Sequence, residues 1–149
     1  MHNENITPLA AARLSKKHIL GIEGMPIPEI NSLIERANFF ADKPKEIFSD
    51  ILADHTVLNI FFENSTRTKV SFELAAKRLG ASVLNISVSG SSVKKGETLI
   101  DTATTLNAMQ PDILVIRHHS SGAPLLLSQH VDAAVINAGD GRHEHPTQA

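Results

Sequence analysis

From residue 55 onward, short apolar runs alternate with longer stretches whose apolar residues recur every three to four positions, and few folds accept that pattern. HTVLNIFF (55–62) reads as a strand and TRTKVSFELAAKRLG (66–80) as a helix closed by a C-terminal glycine. SVLNIS (82–87) is a second strand, ETLIDTATTLNAMQ (97–110) a second helix stopped by Pro111, and DILVIR (112–117) a third strand. GAPLLLSQH (122–130) fits a short helix and DAAVINA (132–138) a fourth strand, after which GDGRHEHPTQA reads as the start of another helix. Strands this continuously apolar, separated by helices, predict a parallel sheet covered on both faces with right-handed crossovers. The expectation is an α/β fold, a three-layer doubly wound parallel sheet of about four strands, in a single domain over residues 1–149. Upstream, PEINSLIERANFFADK carries Ile30, Leu33, Ile34, Ala37 and Phe40 on one helical stripe, with Pro28 near its first turn. The residues before it, broken by Pro8, Gly21, Gly24 and Pro26, read as a lead-in with one short helix near Ser15.

Composition removes several function classes. With 149 residues, 42% of them hydrophobic, a core can form without a metal or disulfide staple. A formal charge of −2 gives no global attraction to nucleic acid, and six Phe with no Trp or Tyr supply few stacking platforms. No stretch approaches the ~18 apolar residues needed to cross a bilayer, so no membrane partner is expected. The absence of Cys removes thiolate metal ligands and a cysteine nucleophile, and fits a reducing compartment, with the cytoplasm as the default.

In such a sheet, ligands gather at the carboxyl ends of the strands, here segments 63–68, 88–96, 117–121 and 138–148. Glu63-Asn64-Ser65-Thr66-Arg67-Thr68 joins a strand to a helix and puts three hydroxyls and a guanidinium where unpaired helix N–H groups face outward. An ordinary Ser/Thr N-cap with Arg67 in solvent explains the same letters equally well. A charge-assisted hydrogen bond nets about 1.5 to 3 kcal/mol and a helix end at most about 2, which reaches only roughly millimolar affinity. Other donors have to converge. The loop around Ser91-Ser92-Val93-Lys94-Lys95-Gly96 offers two ammonium groups but lacks the Gly-Lys-Ser/Thr order of a P-loop, and by itself reads as a solvated surface loop. Arg117, with His118 and His119, closes the third strand; a structural salt bridge is the plain alternative for it. Asn137-Ala138-Gly139-Asp140-Gly141 opens like a dinucleotide fingerprint but lacks the third glycine, and His143-Glu144-His145 lacks the spacing of a zinc-protease motif. No metal and no cofactor are expected. Pro146 suits a first helical position, which puts His145 at a helix mouth, where a neutral imidazole can donate to a carbonyl oxygen, and Gln148 one turn inward.

FFENSTRTKVSFE, SSVKKGETLIDT, the strand ending in Arg117-His118 and NAGDGRHEHPTQA together resemble the aspartate carbamoyltransferases, from about residue 50 to the end of the chain. Ser-Thr-Arg-Thr and His-Pro-x-Gln also occur in the ornithine enzymes of the same superfamily, whereas the Lys-Lys-Gly-Glu-Thr loop favours the aspartate branch. The resemblance implies that Ser65, Thr66, Arg67 and Thr68 bind the phosphate of carbamoyl phosphate, that Arg117 bridges phosphate and carbonyl, that His145 and Thr68 polarise the carbonyl, and that Gln148 holds the carbamoyl nitrogen. It further implies a homotrimer in which Ser91 and Lys95 serve a neighbouring chain's site, with a regulatory chain as a further candidate partner.

The implied reaction moves a carbamoyl group from carbamoyl phosphate to the amino group of L-aspartate, releasing N-carbamoyl-L-aspartate and phosphate, a step of pyrimidine synthesis. Such chains are about twice as long, so the resemblance also implies that the aspartate-binding domain is absent here and that turnover by this chain alone is weak or nil. An ornithine-type carbamoyltransferase and a non-catalytic, anion-binding or oligomerising module are the alternatives.

Overall fold

The computed structural model describes residues 14–88 and 98–149. Four strands, β1 (Thr56–Phe61), β2 (Ser82–Ser87), β3 (Ile113–His118) and β4 (Ala134–Asp140), form one all-parallel sheet in the order β2-β1-β3-β4. The chain winds outward from β1 to β2, then returns past β1 to build β3 and β4. The winding therefore reverses between β1 and β3, and that is where an open parallel sheet leaves a crevice at its carboxyl edge.

Side-chain alternation along the strands assigns the helices to the two faces. Val57, Phe61 and Val115 pack with Ala76 and Phe72 of α2 (Thr66–Arg78). Leu58, Ile60, Leu114, Ile116 and Val135 pack with Ala103 and Leu106 of α3 (Leu99–Ala108) and with Leu127 of α4 (Ala123–Ser128). The result is the expected three-layer arrangement. α3 starts on a reciprocal capping box: Thr98 accepts the Asp101 N–H at 3.1 Å, and Asp101 accepts the Thr98 N–H at 2.9 Å.

Four features depart from expectation. No helix forms near Ser15 among the described residues; residues 15–17 bend instead, and Ile19 bridges to Ile136. Ile19 donates to the Val135 carbonyl at 2.9 Å and accepts the Asn137 N–H at 2.8 Å, so the lead-in satisfies β4's otherwise bare edge. The amphipathic helix is present as α1 (Ile27–Asp42), but no residue of it is buried and Ile34 is 54% exposed. The last segment makes only a three-residue 3-10 turn, Pro146–Gln148. Finally, β3 and β4 run on to His118 and Asp140, past their apolar stretches, because the ladder bonds continue into polar residues. There the pairing slips: Ile116 faces Asn137 while His118 faces Asp140, so β4 carries one extra residue opposite Arg117. Such a bulge bends a strand and re-aims the side chains beside it.

Candidate active site

The α2 end of the crevice has an uncommon cap. Ser65 occupies the N-cap position, yet no side chain caps the helix; its hydroxyl instead donates to Thr68 Oγ1 at 2.9 Å. The first-turn N–H groups therefore remain aimed outward without a side-chain acceptor, and the positive end of the helix dipole faces the crevice. Ser65, Arg67, Thr68, Ser71, Phe72 and Ala75 form one wall of a cavity of about 690 Å³. Arg117, His145, Thr147 and Gln148, from behind β3 and β4, form the other.

The cavity thus gathers Ser65, Arg67, Thr68, Arg117, His145 and Gln148 from three separate post-strand segments. Thr66 is exposed and is not part of the lining. Ser91 and Lys95, with Lys94, lie outside the described residues.

Arg117 is anchored through Nη1 to the Ala138 carbonyl at 3.1 Å, and its Nε stands 3.5 Å from Glu63 Oε2. That pair is an electrostatic contact only, since the buried Nε makes no hydrogen bond within the chain. His145 Nε2 is likewise buried and without a protein partner. Two buried nitrogens of the cavity lining without hydrogen-bond partners suit a ligand that brings its own acceptors. Burial, and then the neighbouring Arg117 charge, hold the His145 imidazole below its usual pKa, which keeps the ring neutral near pH 7. The Thr147 hydroxyl lies 3.1 Å from Nδ1; when it donates there, the ring's proton sits on Nε2 and is available to a carbonyl oxygen.

Gly139, in the bulge, allows this juxtaposition. Its φ is +115°, and a Cβ on it would stand 2.6 Å from Arg117 Nη1 and 3.1 Å from His145 Cδ2.

The neighbouring histidines do other work. His118 is buried, stacks on His119 at a ring distance of 4.2 Å with Phe62 tilted against it at 4.6 Å, and accepts the Ser120 N–H at 2.9 Å. In His143-Glu144-His145 the side chains diverge: His143 turns to Asp140, the Glu144 carboxylate accepts the Ile22 N–H at 2.5 Å, and His145 faces the cavity. Among the described residues no group of three His, Asp or Glu could hold a metal ion. No separate role for Glu63, Gly139 or Asp140 follows from the sequence. Their one signal there is position, in the segments that directly follow a strand.

Residues 17–149 match the model of a family described as aspartate/ornithine carbamoyltransferase, carbamoyl-P binding domain. The chain is 61% identical over 135 residues to the aspartate carbamoyltransferase catalytic subunit of Rhodospirillum rubrum, covering 89% of this chain and 42% of that one. Among solved structures it resembles Trypanosoma cruzi aspartate transcarbamoylase in complex with carbamoyl aspartate and phosphate, with a TM-score of 0.78 and 37% identity, over 91% of this chain and 42% of that one. The same enzyme in complex with carbamoyl phosphate and aspartate gives a TM-score of 0.77 at 36% identity, over 93% and 46%. The chain spans less than half the length of the curated relatives it matches. With the fold, the cavity and the matched residues in agreement, the chain belongs to the aspartate/ornithine carbamoyltransferase family and carries its carbamoyl-P binding domain.

Proposed function

We propose that this chain supplies the carbamoyl-phosphate half of an aspartate carbamoyltransferase site. The observation that carries the reading is the convergence of the uncapped α2 N-terminus, Arg117 and the His145 turn on one cavity. The phosphate takes the α2 end, held by Ser65, Arg67 and Thr68 and by first-turn N–H groups, with Thr66 at the helix start; Arg117 spans phosphate and carbonyl oxygens. His145 Nε2–H and the Thr68 hydroxyl polarise the carbonyl, and Gln148 takes the carbamoyl nitrogen.

The amine of L-aspartate attacks the carbamoyl carbon and forms the new C–N bond. Negative charge grows on the carbonyl oxygen, the C–O bond to phosphate breaks, and phosphate leaves carrying the amine proton. Donors fixed in place before the reaction stabilise that charge without reorganising, and alignment of the two substrates supplies the remainder. The relatives named as aspartate enzymes support aspartate over ornithine as the acceptor.

Calorimetric titration tests the site. The chain should bind carbamoyl phosphate, and Arg67→Ala, losing a charge-assisted contact worth about 1.5–3 kcal/mol, should bind it roughly 10- to 150-fold more weakly. Equal affinity in the two proteins would refute the assignment.

The same reading makes the assembly a homotrimer, with Ser91 and Lys95 reaching the site of a neighbouring copy. Exposed apolar side chains on both faces of the sheet's β2 edge support it: Leu84, on the face away from α2, is 53% exposed, and Val70 and Leu74 on α2 are 51% and 42% exposed. Sedimentation in the presence of phosphate should give a trimer; a monomer at all concentrations would remove the shared-site arrangement.

A further inference from the structure

The turn that presents His145 is tied down by one carboxylate. Asp140, the last residue of β4, is 2% exposed. Its Oδ2 accepts the Gly122 N–H at 2.8 Å; its Oδ1 accepts the Asn137 side-chain amide at 2.9 Å and the Glu144 N–H at 3.1 Å. The His143 ring lies 3.0 Å from Oδ2 and 3.3 Å from Oδ1. The Asp140 N–H in turn donates to the Glu144 carbonyl at 3.2 Å, and the Asn137 amide reaches that carbonyl at 3.4 Å. The β3–α4 loop, β4 and the His145 turn are therefore joined at a single side chain.

An ionised carboxylate suits this place, because all of its lone pairs accept and it donates nothing. Burial alone would raise its pKa, but the hydrogen bonds from Gly122, Asn137, Glu144 and His143 outweigh burial and hold it below the usual carboxylate range. Glu144, bound to Asp140 in both directions, immediately precedes His145, and Pro146 fixes the backbone immediately after it. The imidazole is thus held from both sides. The α2 wall, which grips phosphate, has no hydrogen bond to Asp140 among those found for that carboxylate.

We propose that Asp140 is a positioning residue for carbamoyl transfer, fixing the 141–145 turn so that His145 meets the carbonyl oxygen. The proposal rests on the carbamoyl-phosphate reading above. It requires that loosening Asp140 harm recognition of the carbamoyl group and spare recognition of phosphate.

Asp140→Asn keeps the shape but forces an NH₂ group among N–H donors, so the turn must shift. Calorimetry on the unmodified chain and on the variant, with carbamoyl phosphate and with inorganic phosphate, reads the difference. Carbamoyl phosphate should bind about tenfold more weakly while phosphate changes less than about twofold. Equal losses for both anions, or no loss for either, would overturn the positioning role, since a general loss of structure moves both together. Asp140→Ser, which keeps one acceptor and a smaller volume, carries the same comparison if Asp140→Asn does not unfold cooperatively; failure of both to fold makes the residue structural and also overturns the proposal. An unmodified chain that prefers neither anion overturns the functional reading, and the inference with it. An unchanged preference in a folded variant overturns the inference alone.

Discussion

Gly139→Ala is expected to reduce carbamoyl phosphate affinity by at least about 30-fold, since it displaces two ligand-facing groups where Arg67→Ala removes one. The residue holds φ +115°, where an L side chain is strained, and its missing Cβ is where two ligand-facing groups meet. An added methyl at 2.6 Å from Arg117 Nη1 and 3.1 Å from His145 Cδ2 must push both away or unravel the bulge. Arg117 cannot retreat freely, because Nη1 is bonded to the carbonyl of Ala138, the residue next to the substitution. Losing the charge-assisted contact of Arg117, worth about 1.5–3 kcal/mol, and the neutral hydrogen bond of His145, worth about 0.5–1.5, amounts to about 2–4.5 kcal/mol and hence to about one and a half decades or more in affinity. Titration calorimetry against Gly24→Ala provides the control, since Gly24 also has positive φ, +71°, and nothing within 4 Å of its Cβ position. Affinity within threefold of the unmodified chain would mean that Arg117 and His145 do not grip the ligand from where they stand.

The parts of this site that were readable in the sequence are those whose position follows from hydrophobic pattern. Once Thr56–Phe61 and Ile113–His118 are recognised as buried parallel strands, Ser65, Arg67 and Arg117 must emerge at their carboxyl ends. What stayed hidden depends on which strands pair. The bulge exists only because β4 lies beside β3 with one residue too many, and no pattern within β4 reveals it. The sequence ends β3 at Arg117 and β4 at Ala138 because His118, Gly139 and Asp140 extend no apolar run, although the ladder continues to His118 and Asp140. The lead-in's mixed polar and apolar letters, broken by Pro8, Gly21, Gly24 and Pro26, suggest a short helix near Ser15 and give no sign of the single bridge at Ile19. Nothing in the sequence singles out Asp140 between its two glycines; burial with converging donors marks it as a tie point.

Gly80→Ala is expected to lower the stability of this domain by about 2–5 kcal/mol. The glycine was legible as a helix terminator, and it performs that part: α2 ends in a Schellman arrangement, with the Gly80 N–H donating to the Lys77 carbonyl at 3.1 Å and the Ala81 N–H to the Ala76 carbonyl at 3.1 Å. A left-handed φ of +88° accounts for only about 1–2 kcal/mol of the expected cost. The rest comes from a contact the sequence could not disclose, because a Cβ would stand 1.8 Å from the Ser49 carbonyl oxygen and 2.8 Å from its carbon. Backbone cannot swing aside as a side-chain tip can. Phe48, next to Ser49, is buried, and the Leu52 N–H is bonded to the Leu79 carbonyl at 2.7 Å, so segment 48–52 is pinned on both sides of the clash. Displacing packed structure in this way adds about 1–3 kcal/mol, against a total of about 5–15 for an ordinary domain. At about 2–4 °C per kcal/mol for a chain near this size, thermal unfolding should fall by roughly 4–20 °C. Gly24→Ala, with positive φ and open space, isolates the conformational share and should lower the midpoint by no more than roughly 8 °C by the same conversion. Matching shifts in the two variants would mean that segment 48–52 yields without cost and that the tight approach of Ser49 contributes nothing to holding α2 against the sheet.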